Sequence, residues 1–148
     1  SLTACGANVF LCGPPTLLPK EFSKFVESPP CGQEKDPIKN RGQIKISSSL
    51  KEALEDTDAI ITLRLQKERM SENLLSNLDQ YHNEYGITHE KLKWCRQKVP
   101  VLHPGPVNRG VEISSSLIED SSISLIDKQV SNGIPVRMAL LYLLAATK

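Results

Sequence analysis

The chain has 148 residues, with 18 Lys plus Arg against 17 Asp plus Glu and a formal net charge of +1, so no overall field draws it to nucleic acid or to an anionic membrane. Its four cysteines contain no CxxC pair, and with three scattered histidines they offer no zinc-like spacing. No run approaches the roughly 18 apolar residues of a membrane span, and the expectation is one soluble, cytoplasmic domain with reduced thiols.

In chain order, short runs rich in β-branched residues recur between helical patterns: NVFLCG at 8–13, GQIKIS at 42–47, AIITLRL at 59–65, VPVLHP at 99–104 and SISLID at 122–127. Such alternation predicts β-α-β units. The chain starts at Ser1 without Met and reaches its first predicted strand almost at once, which is the expectation for a piece of a longer protein. After that strand, 14–41 holds six of the ten prolines together with Lys, Asp and Gly around a short predicted helix, KEFSKFVES, and its second half is expected to be exposed loop. Ser49 and Glu52 form a capping box ahead of a helix whose apolar face is Leu50, Ala53 and Leu54. AIITLRL and VPVLHP are nearly all apolar, as in central strands covered on both faces, whereas GQIKIS alternates like an edge strand.

Leu74, Leu75, Leu78 and Tyr81 then follow helical spacing, and THEKLKWCRQK predicts a second short helix. At the end, SNGIPVRMALLYLLAATK combines turn residues, a proline near the first helical turn and a long apolar face, predicting a C-terminal helix that begins there. The fold class is α/β: an open, Rossmann-like parallel sheet of about four to five strands with helices on both faces, plus a long C-terminal helix.

Ligands of open α/β sheets bind beyond the carboxyl ends of the strands. One such end carries Arg64 and Gln66, which share one side if extended geometry persists, with Leu63 and Leu65 on the other. An Arg fork beside a Gln amide suits a carboxylate, and an ion pair of Arg64 with Glu68 or Asp58 fits the residues equally well. A second end runs into HPGPVNRG at 103–110. There Gly105 admits close approach of a ligand to the backbone, although turn chemistry alone accounts for the Pro and Gly content. His103, between Leu102 and Pro104, reads as a packed ring with a satisfied nitrogen. Arg137 falls in the first turn of the predicted last helix, where the macrodipole disfavours a cation by about 0.3–1 kcal/mol, so an anion or an acidic side chain is expected beside it. No G-x-G-x-x-G, Walker A, nucleophile elbow or H-E-x-x-H occurs.

Four segments, GPPTLLP at 13–19, LRLQKER at 63–69, HPGPVNRGVEI at 103–113 and NGIPVRMALL at 132–141, resemble in order and spacing the signatures of the aspartate carbamoyltransferase family. The resemblance covers the chain from its first residues to its last helix and corresponds to that family's aspartate-binding half. It implies transfer of a carbamoyl group from carbamoyl phosphate to L-aspartate in pyrimidine biosynthesis. It also implies that the carbamoyl phosphate motifs S-T-R-T and H-P-T-Q lie in an N-terminal domain outside this sequence, so that the chain alone has no complete catalytic set.

By motif, Arg64 and Gln66 would bind aspartate, and Glu68 would steady Arg64. The backbone of Gly105 and Pro106, joined by a candidate cis peptide, would meet the carbamoyl phosphate side, and Arg137 would lie near the ligand charge. The family uses no cofactor, metal or covalent intermediate, and its full chain is expected to be a homotrimer with no nucleic acid or membrane partner. Residues 1–130 would form the aspartate-binding domain, and 131–148 a helix packed on the N-terminal domain. An ornithine carbamoyltransferase typically has H-C-L-P where this chain has His103-Pro104-Gly105-Pro106, and lacks the Arg-x-Gln pair. That relative, and a non-catalytic binding or regulatory module of the same fold, are the alternatives.

Overall fold

The computed structural model describes residues 2–18, 42–66 and 78–146. The predicted helix KEFSKFVES, the loop 31–41, Leu74, Leu75 and Glu68 lie outside the described residues. Two compact units divide the chain, Ser1–Glu55 and Asp56–Lys148.

In the first unit, strands β1 (Val9–Cys12) and β2 (Ile44–Ser47) pair in parallel, from Val9 opposite Ile44 to Cys12 opposite Ser47. Val and Ile suit the pleat, and the Asn8 side chain fixes the register by accepting the Gln43 amide at 2.9 Å. Gly42 donates its amide to the Thr3 carbonyl so closely that a Cβ there would run into the Ala7 carbonyl. Helix α1 (Leu50–Leu54) starts where the capping box predicts, with the Ser49 hydroxyl accepting the Glu52 amide. The reciprocal half of the box runs through Ser47, whose hydroxyl donates to Glu52 at 2.6 Å and accepts the Ser49 amide at 3.0 Å. Ala53 and Leu54 are the buried face of α1.

The second unit is built on a parallel pair, β3 (Ile60–Ile61) and β4 (Val101–Leu102), extended by one rung from the Thr62 amide to the Leu102 carbonyl. Segment 123–125 flanks the other side of β4: the Val101 amide donates to Ile123, and the Leu125 amide to Val101. Val101 is accordingly fully buried, as predicted for a central strand. The fifth expected strand, SISLID, is reduced to a single bridge at Ser124. Asp120 is the cause, because its side chain accepts the Ser122 amide and hydroxyl and its carbonyl accepts the Ser124 amide, curling the chain before a strand can form. Those hydrogen bonds, led by the Ser122 hydroxyl and followed by His89, hold the Asp120 carboxyl down at about 2.

Helices α2 (Leu78–Tyr85) and α3 (His89–Leu92) link β3 to β4. Thr88 caps α3, and Lys91 closes the end of α2 by donating to the carbonyls of His82 and Gly86. Burial lowers the pKa of that ammonium. Helix α4 (Ser115–Glu119) precedes the last helix, α5 (Ile126–Ala146). The start of α5 differs from expectation. It begins at Ile126, which is buried and preceded by the Leu125 tie to β4, so Pro135 sits inside the helix and Ser131-Asn132-Gly133 are helical. Core residues of this unit include Ile60, Leu65, Ile87, Val101, Ile113 and Leu117.

Candidate functional site

Parallel pairing brings two predicted ligand-binding segments out of the same end of the second unit. Beyond β3 the chain leaves regular strand geometry after Thr62, and Arg64 and Gln66 are both exposed while Leu65 is buried. The simple alternation fails at Leu63, which is 68% exposed instead of sharing the buried side with Leu65. The ladder ends at Thr62, and past that point the two-residue period no longer sets direction. Beyond β4 the chain enters HPGPVNRG. The Gly105-Pro106 peptide is cis, and Gly105 has φ of 70°, a left-handed conformation in which a Cβ would also sit 3.2 Å from the Val130 side chain. The positive φ favours glycine there, and the Val130 contact leaves a side chain little room.

Buried polar groups hold this loop. His103 is fully buried, and its Nδ1 accepts the Gly105 amide at 2.8 Å. A neutral ring accepting at Nδ1 carries its proton on Nε2, and Nε2 faces Glu112 Oε1 at 3.6 Å, an electrostatic contact beyond hydrogen-bond length. Burial pushes the His103 pKa down, and the Glu112 carboxylate opposes that push only in part. Glu112, 2% exposed, accepts the Asn108 amide at 3.2 Å, while its carbonyl accepts the Ile87 amide at 2.9 Å. The Asn108 side chain completes the set by donating to the Leu65 carbonyl at 3.0 Å. The two walls, 63–66 and 103–110, are thereby hydrogen-bonded to each other.

The wall has a chemical polarity. The Gly105 amide is committed to His103, and Pro104 and Pro106 have no amide hydrogen. The corner therefore offers a ligand carbonyl acceptors, beside the donors of Arg64 and Gln66.

Arg64, Gln66, Gly105 and Pro106 thus belong to one strand-end region, while Glu68 lies outside the described residues. Arg137 is corrected: it lies eleven positions into α5, not in its first turn, so the macrodipole argument for a nearby anion does not apply. Its guanidinium lies back along its own helix, 3.9 Å from where a Gly133 Cβ would be, and among the described residues no hydrogen bond or ion pair joins it to the strand-end region. Two structural members went unnoticed in the sequence, Asn108 and Glu112. A lone glutamate between Val111 and Ile113 does not by itself announce burial, although Asn and Glu four apart in a Gly-containing turn are a usable hint.

Among the described residues no group of three or more His, Cys, Asp or Glu is placed to hold a metal ion. A shallow hollow of about 380 Å³ lined by His89, Lys93, Arg96 and Val99 lies toward the amino end of β4. Two of its cations are paired, Lys93 with Glu90 and Arg96 with Asp56.

A parallel α/β unit with a shaped loop and an Arg-x-Gln segment at one set of strand ends defines a small-ligand binding domain of the open-sheet class. The family model described as aspartate/ornithine carbamoyltransferase, Asp/Orn binding domain, matches residues 1–144, and the chain belongs to that family. It is 80% identical over 148 residues to the aspartate carbamoyltransferase catalytic subunit of Prochlorococcus marinus, covering 100% of this chain and 44% of the relative. The chain therefore spans less than half the length of that curated relative. Among solved structures it is similar to the anabolic ornithine carbamoyltransferase of Campylobacter jejuni, with a TM-score of 0.73 and 21% identity over 97% of this chain and 45% of the other. It is also similar to the aspartate transcarbamoylase of Trypanosoma cruzi in complex with aspartate and phosphate, with a TM-score of 0.60 and 22% identity over 91% of this chain and 37% of the other. At those identities the structures establish the shared fold.

Proposed function

We propose that the chain is the aspartate-binding part of an aspartate carbamoyltransferase, which transfers the carbamoyl group of carbamoyl phosphate to the amine of L-aspartate and releases phosphate, a step of pyrimidine biosynthesis. The observation that carries this reading is the 80% identity, over the whole chain, to a relative named for that activity. In it, Arg64 binds an aspartate carboxylate and Gln66 supports aspartate's polar groups, with Glu68 steadying Arg64. The carbonyls at Gly105 and Pro106 accept hydrogen bonds from the carbamoyl amide, and Arg137 adds positive charge at the margin. Catalysis comes from holding the amine against the carbonyl carbon and neutralising the charge that develops, without metal, cofactor or covalent intermediate.

The carbamoyl phosphate motifs are assigned to an N-terminal domain elsewhere in the full-length protein, with residues 1–130 as the aspartate domain and 131–148 packing on its partner domain. This chain alone is then inactive, and the complete protein is a cytoplasmic homotrimer. The family model spans aspartate and ornithine enzymes alike; Arg64 and Gln66, together with His103-Pro104-Gly105-Pro106, favour aspartate.

The deciding experiment is Arg64→Ala in the full-length protein. The expected result is a loss of at least about tenfold in kcat/KM for aspartate, about 1.4 kcal/mol of transition-state stabilisation. Unchanged aspartate KM and kcat would sink the assignment.

A further inference from the structure

We propose that Asn108, anchored by the buried Glu112 carboxylate, is a positioning residue that sets the aspartate-binding segment against the Pro-Gly-Pro corner. The inference deepens the functional reading above and rests on it.

The Leu65 carbonyl belongs to the peptide unit that joins Leu65 to Gln66. Holding that oxygen restrains the peptide plane between Arg64 and Gln66, and with it the path of the segment that carries both side chains. Asn108 Nδ2 holds it at 3.0 Å, good amide hydrogen-bond length, across 43 residues of sequence. No regular ladder does this work, because strand pairing stops at the bond from Thr62 to Leu102.

Asn108 is itself held from two directions. Its amide donates to Glu112 Oε1 at 3.2 Å, and its carbonyl accepts the Val111 amide at 3.1 Å. The carboxamide is then free of local turn duties and spans to the other wall.

Glu112 is an expensive anchor for stability alone. A buried carboxylate is costly unless its oxygens are satisfied, yet Oε2 has no partner among the described residues and His103 Nε2 stands 3.6 Å from Oε1. What the carboxylate achieves is geometric. It favours the His103 tautomer protonated at Nε2, leaving Nδ1 to accept the Gly105 amide, while also holding Asn108. One side chain thus sets the corner through His103 and the aspartate segment through Asn108.

The test is steady-state kinetics of the full-length protein in four forms: unmodified, Asn108→Ala, Glu112→Ala and Glu112→Gln. Asn108→Ala should raise the KM for aspartate by at least about fivefold and leave that for carbamoyl phosphate within about twofold, with a thermal midpoint close to the parent's. Glu112→Ala should weaken the use of both substrates, and Glu112→Gln, which retains an acceptor for the Asn108 amide, should recover most of the loss. An Asn108→Ala enzyme with parental aspartate KM overturns the proposal, as does an equal rise in both KM values, which is what a merely structural role would give. If Glu112→Ala does not fold, the Asn108→Ala split decides. An unmodified protein that forms no carbamoyl aspartate overturns the functional reading and this inference with it; an active parent with indifferent variants overturns the inference alone.

Discussion

His103 illustrates how a buried ring shapes a loop through one hydrogen bond. Its ring is fully buried and must stay neutral for Nδ1 to accept the Gly105 amide. Burial lowers its pKa from the ordinary 6.5, so below that value the unfolded chain takes up a proton that the folded chain refuses. The unfolded state then binds more protons, and stability must fall as the pH drops. Urea unfolding at pH 7.5 and at pH 5.5 should show this contribution fully present at the higher pH and partly lost at the lower. His103→Gln should be less stable overall but flatter between the two values. An unaltered slope in the variant would place the titration on another group.

At the scale of elements, α5 shows how a proline can mislead. Pro135 was expected near the first turn of the helix because that position costs no hydrogen bond. In the structure it lies inside a helix running Ile126–Ala146, where its missing amide leaves the Ser131 carbonyl without its usual donor. Tertiary contacts pull the start upstream: Leu125 donates to β4, Ile126 is buried, and Asp127 sits in the first turn where the dipole favours an anion. Pro135→Ala should restore a helical bond and raise the stability of α5 by roughly 1–3 kcal/mol, less whatever packing the ring supplied. The measurement is the thermal midpoint together with the helical circular dichroism signal; a midpoint at or below the parent's would show that the ring is needed where it stands.

For the molecule as a whole, the main energetic anomaly is the outer part of α5. Leu141 is 68% and Leu144 75% exposed, and Ile134, Val136, Met138 and Leu143 are also exposed. An apolar surface of that kind on one helix calls for a cover. The proposed cover is the rest of the full-length protein, since the chain spans only 44% of its curated relative. The 148-residue chain by itself should therefore self-associate in size-exclusion chromatography with light scattering, while Leu141→Lys with Leu144→Lys shifts it toward monomer. A parent chain that runs as a clean monomer and binds no hydrophobic dye would show that the helix needs no cover.

What was legible from residues alone follows from locality. The capping box at Ser49, the short helix in THEKLKWCRQK, the strand cores at Val9, Ile44, Ile60 and Val101, and the packed character of His103 all depend on neighbours within a few positions, which the sequence displays directly. The four segments GPPTLLP, LRLQKER, HPGPVNRGVEI and NGIPVRMALL, in their order and spacing, likewise pointed to the family. Only the tertiary structure decided matters that depend on distant partners. Ties to β4 moved the start of α5 to Ile126, and Arg137 thereby lost its place in a first helical turn. Burial of Glu112 and the reach of Asn108 to Leu65 were invisible for the same physical reason: a side chain's protonation, satisfaction and direction are set by what packs against it, and those neighbours lie tens of residues away along the chain.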